Sequence, residues 1–180
     1  MLGQAYRALE WALEWMTIGL MVALTVVVIF GVCFRLAGHS LSWYDEVAVV
    51  QLSWVTYYGA ALAALKRRHI GFDTVLLALP RELRKLALIA AETIVIGFFA
   101  LMAWAGLEVL EVLEGMRLVS LTWVPIQLTQ SVIPIGAALF ILCELISLPH
   151  YWQMTLAGKS LEQAEIEEEV AQELKQAGGR

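Results

Sequence analysis

The chain has 180 residues, of which 60% are hydrophobic and only 16% charged; a soluble domain has roughly 45–50% apolar and 25% charged residues, so an ordinary water-soluble globule is excluded. Twelve basic residues against 17 acidic ones leave a net charge of −5, with no basic face interleaved with aromatics of the kind nucleic acid requires. Cys33 and Cys143 each sit inside an apolar run, so neither a disulfide framework nor a Cys-x-x-Cys metal or redox centre can be built.

An intramembrane charge is expensive and a span needs about 20 mostly apolar residues, so the chain is cut at its charges. The first expected span is Trp15 to Phe34, with Trp11 and Trp15 as interfacial aromatics at its near end. Arg7 is offset by Glu10 and Glu14, and the apolar run is too long for a signal h-region, so this segment is expected to remain as an anchor. The second span is Val47 to Leu65. Between it and the third, Ile70, Phe72, Val75, Leu76 and Leu79 give one apolar face to a short segment bounded by a basic cluster and Pro80, which predicts an amphipathic helix in the interface plane. Pro80 either stops that helix or opens the next one at its first turn. The third span runs from about Leu86 to Leu113 and carries Glu92 and Glu108; the fourth is Leu118 to Cys143.

The expected architecture is therefore an all-α integral membrane protein, with a four-helix transmembrane domain over 1–157 and an acidic tail over 158–180. Lys66, Arg67, Arg68, Arg81, Arg84 and Lys85 crowd the loop between spans two and three, against Arg35 and Arg117 on the other side. The positive-inside rule then makes that loop, and both termini, cytoplasmic.

Ionisable residues within spans are functional candidates by default. Glu92 and Glu108 are 16 positions apart, about 24 Å along a helix, too far to act as a carboxylate pair. Glu92 is expected to snorkel to cytoplasmic water or to a basic side chain. Glu108, Glu111 and Glu114 recur every three positions on one side of a helix end, either as a solvated terminus or as a docking surface for an extracytoplasmic partner. Asp45 and Glu46 precede the second span, with Ser42 as N-cap and Glu46 near the capping-box position. Asp45 is read as a structural cap, and Glu46, which sits deeper, is equally open to an inter-helix or inter-subunit contact. His69 is read as an interfacial hydrogen-bonding group, and Lys66, Arg67 and Arg68 are expected to contact anionic headgroups or a partner subunit. Gly59, Ala60, Ala63 and Ala64 form a small-residue packing face, and Pro134 predicts a bend because it removes the bond to the Gln130 carbonyl. No phosphate loop, nucleophile elbow, zinc motif or haem-gripping histidine pair occurs, so neither catalysis nor a cofactor is expected.

The ordered elements Trp43-Tyr44-Asp45-Glu46, Gly59-Ala60-Ala61-Leu62-Ala63, His69-Ile70-Gly71-Phe72-Asp73, Ser120-Leu121-Thr122-Trp123-Val124-Pro125 and Ile133-Pro134-Ile135-Gly136 together resemble the small, Q-type membrane subunit of tripartite ATP-independent periplasmic (TRAP) transporters. The resemblance covers about residues 10 to 150. It implies a heteromeric secondary transporter of the bacterial cytoplasmic membrane. In such a system a periplasmic binding protein delivers a carboxylate-type substrate, and a large M-type subunit holds the substrate and sodium sites. The small subunit acts as a static scaffold. On this resemblance Trp43, Asp45, Glu46, Gly59, Ala63, His69, Asp73, Trp123, Pro125, Pro134 and Gly136 are interface or structural candidates, and Glu108, Glu111 and Glu114 are candidates for binding-protein docking.

Two rival readings use the same four spans. One is a small homo-oligomeric exporter that couples protons through Glu92. The other is an assembly or interaction protein unconnected with transport. A self-contained transporter calls for broken helices or convergent polar groups at mid-membrane, whereas the strongest polar residues here lie near the two boundaries.

Overall fold

The computed structural model describes residues 2–67, 76, 78–156 and 170. Helix α1, Leu2–Leu36, is 35 residues long and reaches well past the ~30 Å hydrocarbon core at about 1.5 Å per residue. It stops where Gly38 takes a positive φ of 81°. There His39 N–H donates to the Phe34 carbonyl and Gly38 N–H to that of Arg35, the pair of bonds that defines a Schellman cap and needs a residue free to adopt the left-handed conformation. Arg35 in the last turn complements the helix dipole.

Helix α2 covers Tyr44–Leu65, and α3 covers Arg81–Val112 with Pro80 as its N-cap. Pro80 thus opens the third helix, where its missing N–H is no loss. A five-residue helix α4, Ile126–Gln130, leads into α5, Val132–Leu156. Among the described residues, four stretches are long and apolar enough to cross a membrane: Tyr6–Leu36, Tyr44–Leu65, Arg81–Val112 and Ile126–Leu156.

The fourth span departs from expectation at both ends. Residues 118–125 form a tight loop, closed by Leu118 N–H on the Val124 carbonyl and by Ile126 N–H on that of Met116. Pro125, extended at φ −72° and ψ 137°, restricts Val124 to non-helical conformations and postpones the helix. At the far end α5 continues through Glu144 and Pro149 to Leu156, so one charge does not end the span. The expected bend at Pro134 is a break between α4 and α5 at Ser131. Pro134 sits in the first turn of α5, where its lost donor costs little.

The long helices pack as a row: α1 on α2, α2 on α5 and α5 on α3. Helix α5 therefore has neighbours on both flanks, while α1 and α3 stand at the edges. The core joins Leu13, Tyr58, Ala61, Ala64, Leu65, Val132, Phe140 and Cys143. Phe99 of α3 stacks on Phe140 of α5 with ring centroids 3.6 Å apart. Three glycines set the helix spacing, the first being Gly31 of α1, where a Cβ would overlap the Tyr44 ring of α2. A Cβ on Gly136 would stand 2.6 Å from Tyr57 Cβ of α2, and one on Gly106 would stand 2.9 Å from Pro134 Cδ of α5. Only glycine permits such approaches.

Of the expected interfacial segment, the described residues include Leu76 and Ala78 as helix and Leu79 as a bend, but not Ile70 to Val75 or Leu77. Arg68, His69, Asp73, Ala157 and, apart from Val170, the acidic tail over 158–180 also lie outside them.

Candidate functional site

Two polar clusters fasten this row, one at each end. On the basic face, α2 ends at Leu65, Lys66 is its C-cap, and Arg67 turns into the left-handed region at φ 52°. Glycine is usual at this position, and a side chain there costs about 1–2 kcal/mol. Arg67 is held in it by a dense set of contacts. Its Nη1 donates to Glu92 Oε1 of α3 at 2.6 Å and lies 2.8 Å from Glu144 Oε1 of α5. Nε donates to Ser147 Oγ at 2.8 Å and Nη2 to the Glu144 carbonyl at 3.1 Å. The guanidinium carbon stands 4.6 Å from the centre of the Tyr151 ring, a cation–π distance. Ser147 Oγ in turn lies 3.2 Å from the Ala64 carbonyl and 3.1 Å from that of Glu144.

One arginine thereby joins α2, α3 and α5. The three charged side chains are only 10%, 12% and 7% exposed for Arg67, Glu92 and Glu144, so this is a buried ion cluster and not a surface pair. Removing one partner of such a cluster costs about 3–5 kcal/mol, because the charge left behind stays buried. The sequence places Arg67 at lipid headgroups or a partner subunit; two carboxylates inside the row take its guanidinium instead. Glu92 is in contact with a basic side chain, as one branch of its reading has it.

Lys66 also turns inward along the row, to α1. It donates to Glu14 and lies 3.2 Å from Glu10, and its pKa is raised above the ordinary lysine value, chiefly by the Glu14 hydrogen bond. Nearby, Arg84 Nη1 donates to the Thr155 carbonyl at 3.1 Å, while Nε and Nη2 reach the carbonyls of Leu76 and Leu79.

At the opposite face, Glu46 in the first turn of α2 accepts the backbone N–H groups of Val119 and Ser120, each at 2.9 Å, on its two oxygens. Ser120 Oγ donates to the Ser42 carbonyl at 2.8 Å. Glu46 therefore makes an inter-element contact. Ser42 does not act as N-cap: Trp43 holds that position, with no side-chain capping bond. Asp45 is exposed in the same turn. Trp54 Nε1 donates to the Thr129 carbonyl at 3.1 Å and Gln127 Nε2 to that of Leu110 at 3.0 Å. Between α2 and the loop lies an apolar cleft of about 240 Å³, whose lining includes Val47, Gln51, Trp54, Leu121 and Leu128.

The remaining candidates separate by place. Trp43 and Trp123 are exposed at this face, as are Glu108, Glu111 and Glu114 toward the end of α3 and beyond it. Pro125 caps α4, and Gly136 and Pro134 are buried in the contacts described above. The tight face of α2 is carried by Ala61 and Ala64, both fully buried. Gly59 has only Thr17 Cγ2 near the position of a Cβ, at 4.0 Å, and Ala63 is half-buried. Cutting the chain at its charges misses Glu144, because the fourth span then ends one residue before it. Its signal is helical spacing, since Glu144, Ser147 and Tyr151 fall at i, i+3 and i+7 on one face.

Four apolar helices in a row, fastened by polar clusters at both ends, define a multi-pass membrane protein. Residues 24–153 match the family model described as "Tripartite ATP-independent periplasmic transporters, DctQ component", and the chain belongs to that family, as a small permease subunit of a TRAP transporter. No curated protein matches the sequence.

Proposed function

We propose that this chain is the static scaffold of its transporter, packed beside a large M-type membrane subunit. That subunit moves a carboxylate-type substrate, driven by a sodium gradient, after a periplasmic binding protein delivers it. The single observation that carries this reading is the row itself. Helices α1 and α3 are edge helices whose outer faces are broadly apolar, with Trp11, Trp15, Met21 and Ile29 exposed on one and Ile94, Leu101 and Trp104 on the other. Its strongest polar contacts hold helices together at the two ends, which suits a framework better than a moving carrier.

In this reading the basic face is cytoplasmic, with both termini, in a bacterial inner membrane. The acidic run Glu108, Glu111 and Glu114 then faces the periplasm, where the binding protein docks. The chain itself catalyses nothing, and lipid covers what the large subunit leaves of the apolar edges. The contact of Glu92 with Arg67 ties α2 to α3, which supports a framework role for this residue over the rival exporter.

The test is co-purification. The tagged chain, extracted in mild detergent, is expected to bring down one much larger polytopic subunit in equal amount. Recovery of a defined homo-oligomer that moves substrate unaided would refute the scaffold role.

A further inference from the structure

The Arg67 cluster contains two carboxyl groups and one cation. Glu92 Oε1 and Glu144 Oε1 both sit on the same guanidinium nitrogen. The second oxygen of each, Glu92 Oε2 and Glu144 Oε2, is buried and meets no hydrogen-bond donor. Glu144 as a whole is 5% exposed, and both carboxyls are held on the one nitrogen, Nη1 of Arg67. Two ionised carboxyls on one guanidinium leave one negative charge in excess and two buried acceptors unmet, since an ionised carboxylate only accepts and a protonated one donates. Two carboxylates that share one buried site do not both ionise.

We propose that Glu92 and Glu144 hold a single proton between them, which makes the Arg67 cluster an electrically neutral proton-binding site at the junction of α2, α3 and α5. One carboxyl then remains ionised against Arg67, and the proton, taken from water, rests on the other, at its orphaned oxygen. The charge balance agrees from every packed element. Helix α2 brings Arg67 at its end, with Lys66 turned away to Glu10 and Glu14 of α1. Helix α3 brings Glu92, with Arg84 committed to backbone carbonyls. Helix α5 brings Glu144, the neighbouring thiol of Cys143 and the Tyr151 ring over the guanidinium. Arg67 is thus the one cation among the described residues that meets both carboxyls. This inference does not depend on the scaffold role or on any partner.

The experiment is infrared spectroscopy of the intact purified chain, in the complex it is isolated with, at about pH 7.5, where carboxyls with ordinary values are fully ionised. A carboxylic-acid carbonyl band is expected in the wild type and is lost entirely in both Glu92→Gln and Glu144→Gln. Each amide restores the missing donor and leaves a one-to-one ion pair. If either Gln variant cannot be purified, Glu92→Asp and Glu144→Asp replace them, and each must shift the band. Thermal stability gives a second readout. A proton bound in the folded state and absent in the unfolded one makes wild-type stability fall as pH rises above the ordinary glutamate range, and this slope is lost in Glu144→Gln. No acid band in the wild type, a band that survives both substitutions, or one that is lost in only a single variant would overturn the proposal.

Discussion

On the basic face, Arg67 ties α2, α3 and α5 through charged side chains that are almost wholly buried, whereas at the opposite face Glu46 ties α2 to the α3–α4 loop through two backbone N–H groups near solvent. Both devices use glutamate, yet they solve different problems. A carboxylate at the water boundary can be satisfied by whatever amides a loop turns toward it. A carboxylate inside the row needs a cation, because the desolvation penalty is large and only a close opposite charge offsets it. The arginine suits this position, since its rigid fork reaches Glu92, Ser147 and the Glu144 carbonyl at once. The left-handed turn at Arg67 is the local strain that such a placement requires.

The largest expected effect breaks the basic end. Arg67→Gln leaves Glu92 and Glu144 buried without their counter-charge, and is expected to destabilise the folded chain by about 3–5 kcal/mol. Arg67→Lys, which keeps the charge but not the fork, is expected to recover only part of this. Thermal unfolding in detergent ranks the three proteins. If Arg67→Gln unfolds with the wild type, the cluster does not hold the helices together and the contrast between the two ends fails.

Glu46→Gln tests the opposite face with a milder, local lesion. The amide keeps one acceptor oxygen, so one of the two loop N–H groups is expected to lose its partner while the helices stay packed. A cysteine placed at Val119 should become more reactive toward a soluble thiol reagent when combined with Glu46→Gln, with an unchanged unfolding midpoint. A midpoint that drops as far as that of Arg67→Gln would show that the two ends carry equal weight.

This contrast also explains what is legible in the sequence. The number and order of the spans follow from apolar length alone, because the bilayer imposes that length. Glu46 is legible as a contact residue from its depth past Trp43. The partner of Glu92 is foreseen only as some basic side chain, since three consecutive basic residues, Lys66, Arg67 and Arg68, offer no periodicity that says which one turns inward. That choice is made by the backbone, at a left-handed φ that nothing in an arginine's identity signals. Glu144 is hidden for the converse reason: a rule that treats charge as a span boundary removes from view the charges a fold has chosen to bury. The start of the fourth helix is misplaced for want of weight on Pro125, whose restraint on Val124 outranks apolar continuity through Leu118 and Leu121.

The smallest effect separates Lys66 from its neighbour Arg67. Lys66 is raised in pKa by Glu14 and Glu10, and its side chain is 29% exposed with partners at 38% and 28%, so water and salt weaken the pair. Lys66→Gln is expected to cost no more than about 1 kcal/mol, the ordinary scale of a solvated ion pair. The sign of its pH dependence follows from the raised value. The contribution is complete below the ordinary lysine value of about 10.4 and fades as pH climbs through the higher folded value, where the ammonium loses its proton. Added salt should shrink it further, while the Arg67 cluster, shielded from solvent, responds far less. Unfolding midpoints of Lys66→Gln and Arg67→Gln at low and high salt make the comparison, and equal salt sensitivity in the two would mean that the Arg67 cluster is open to water after all.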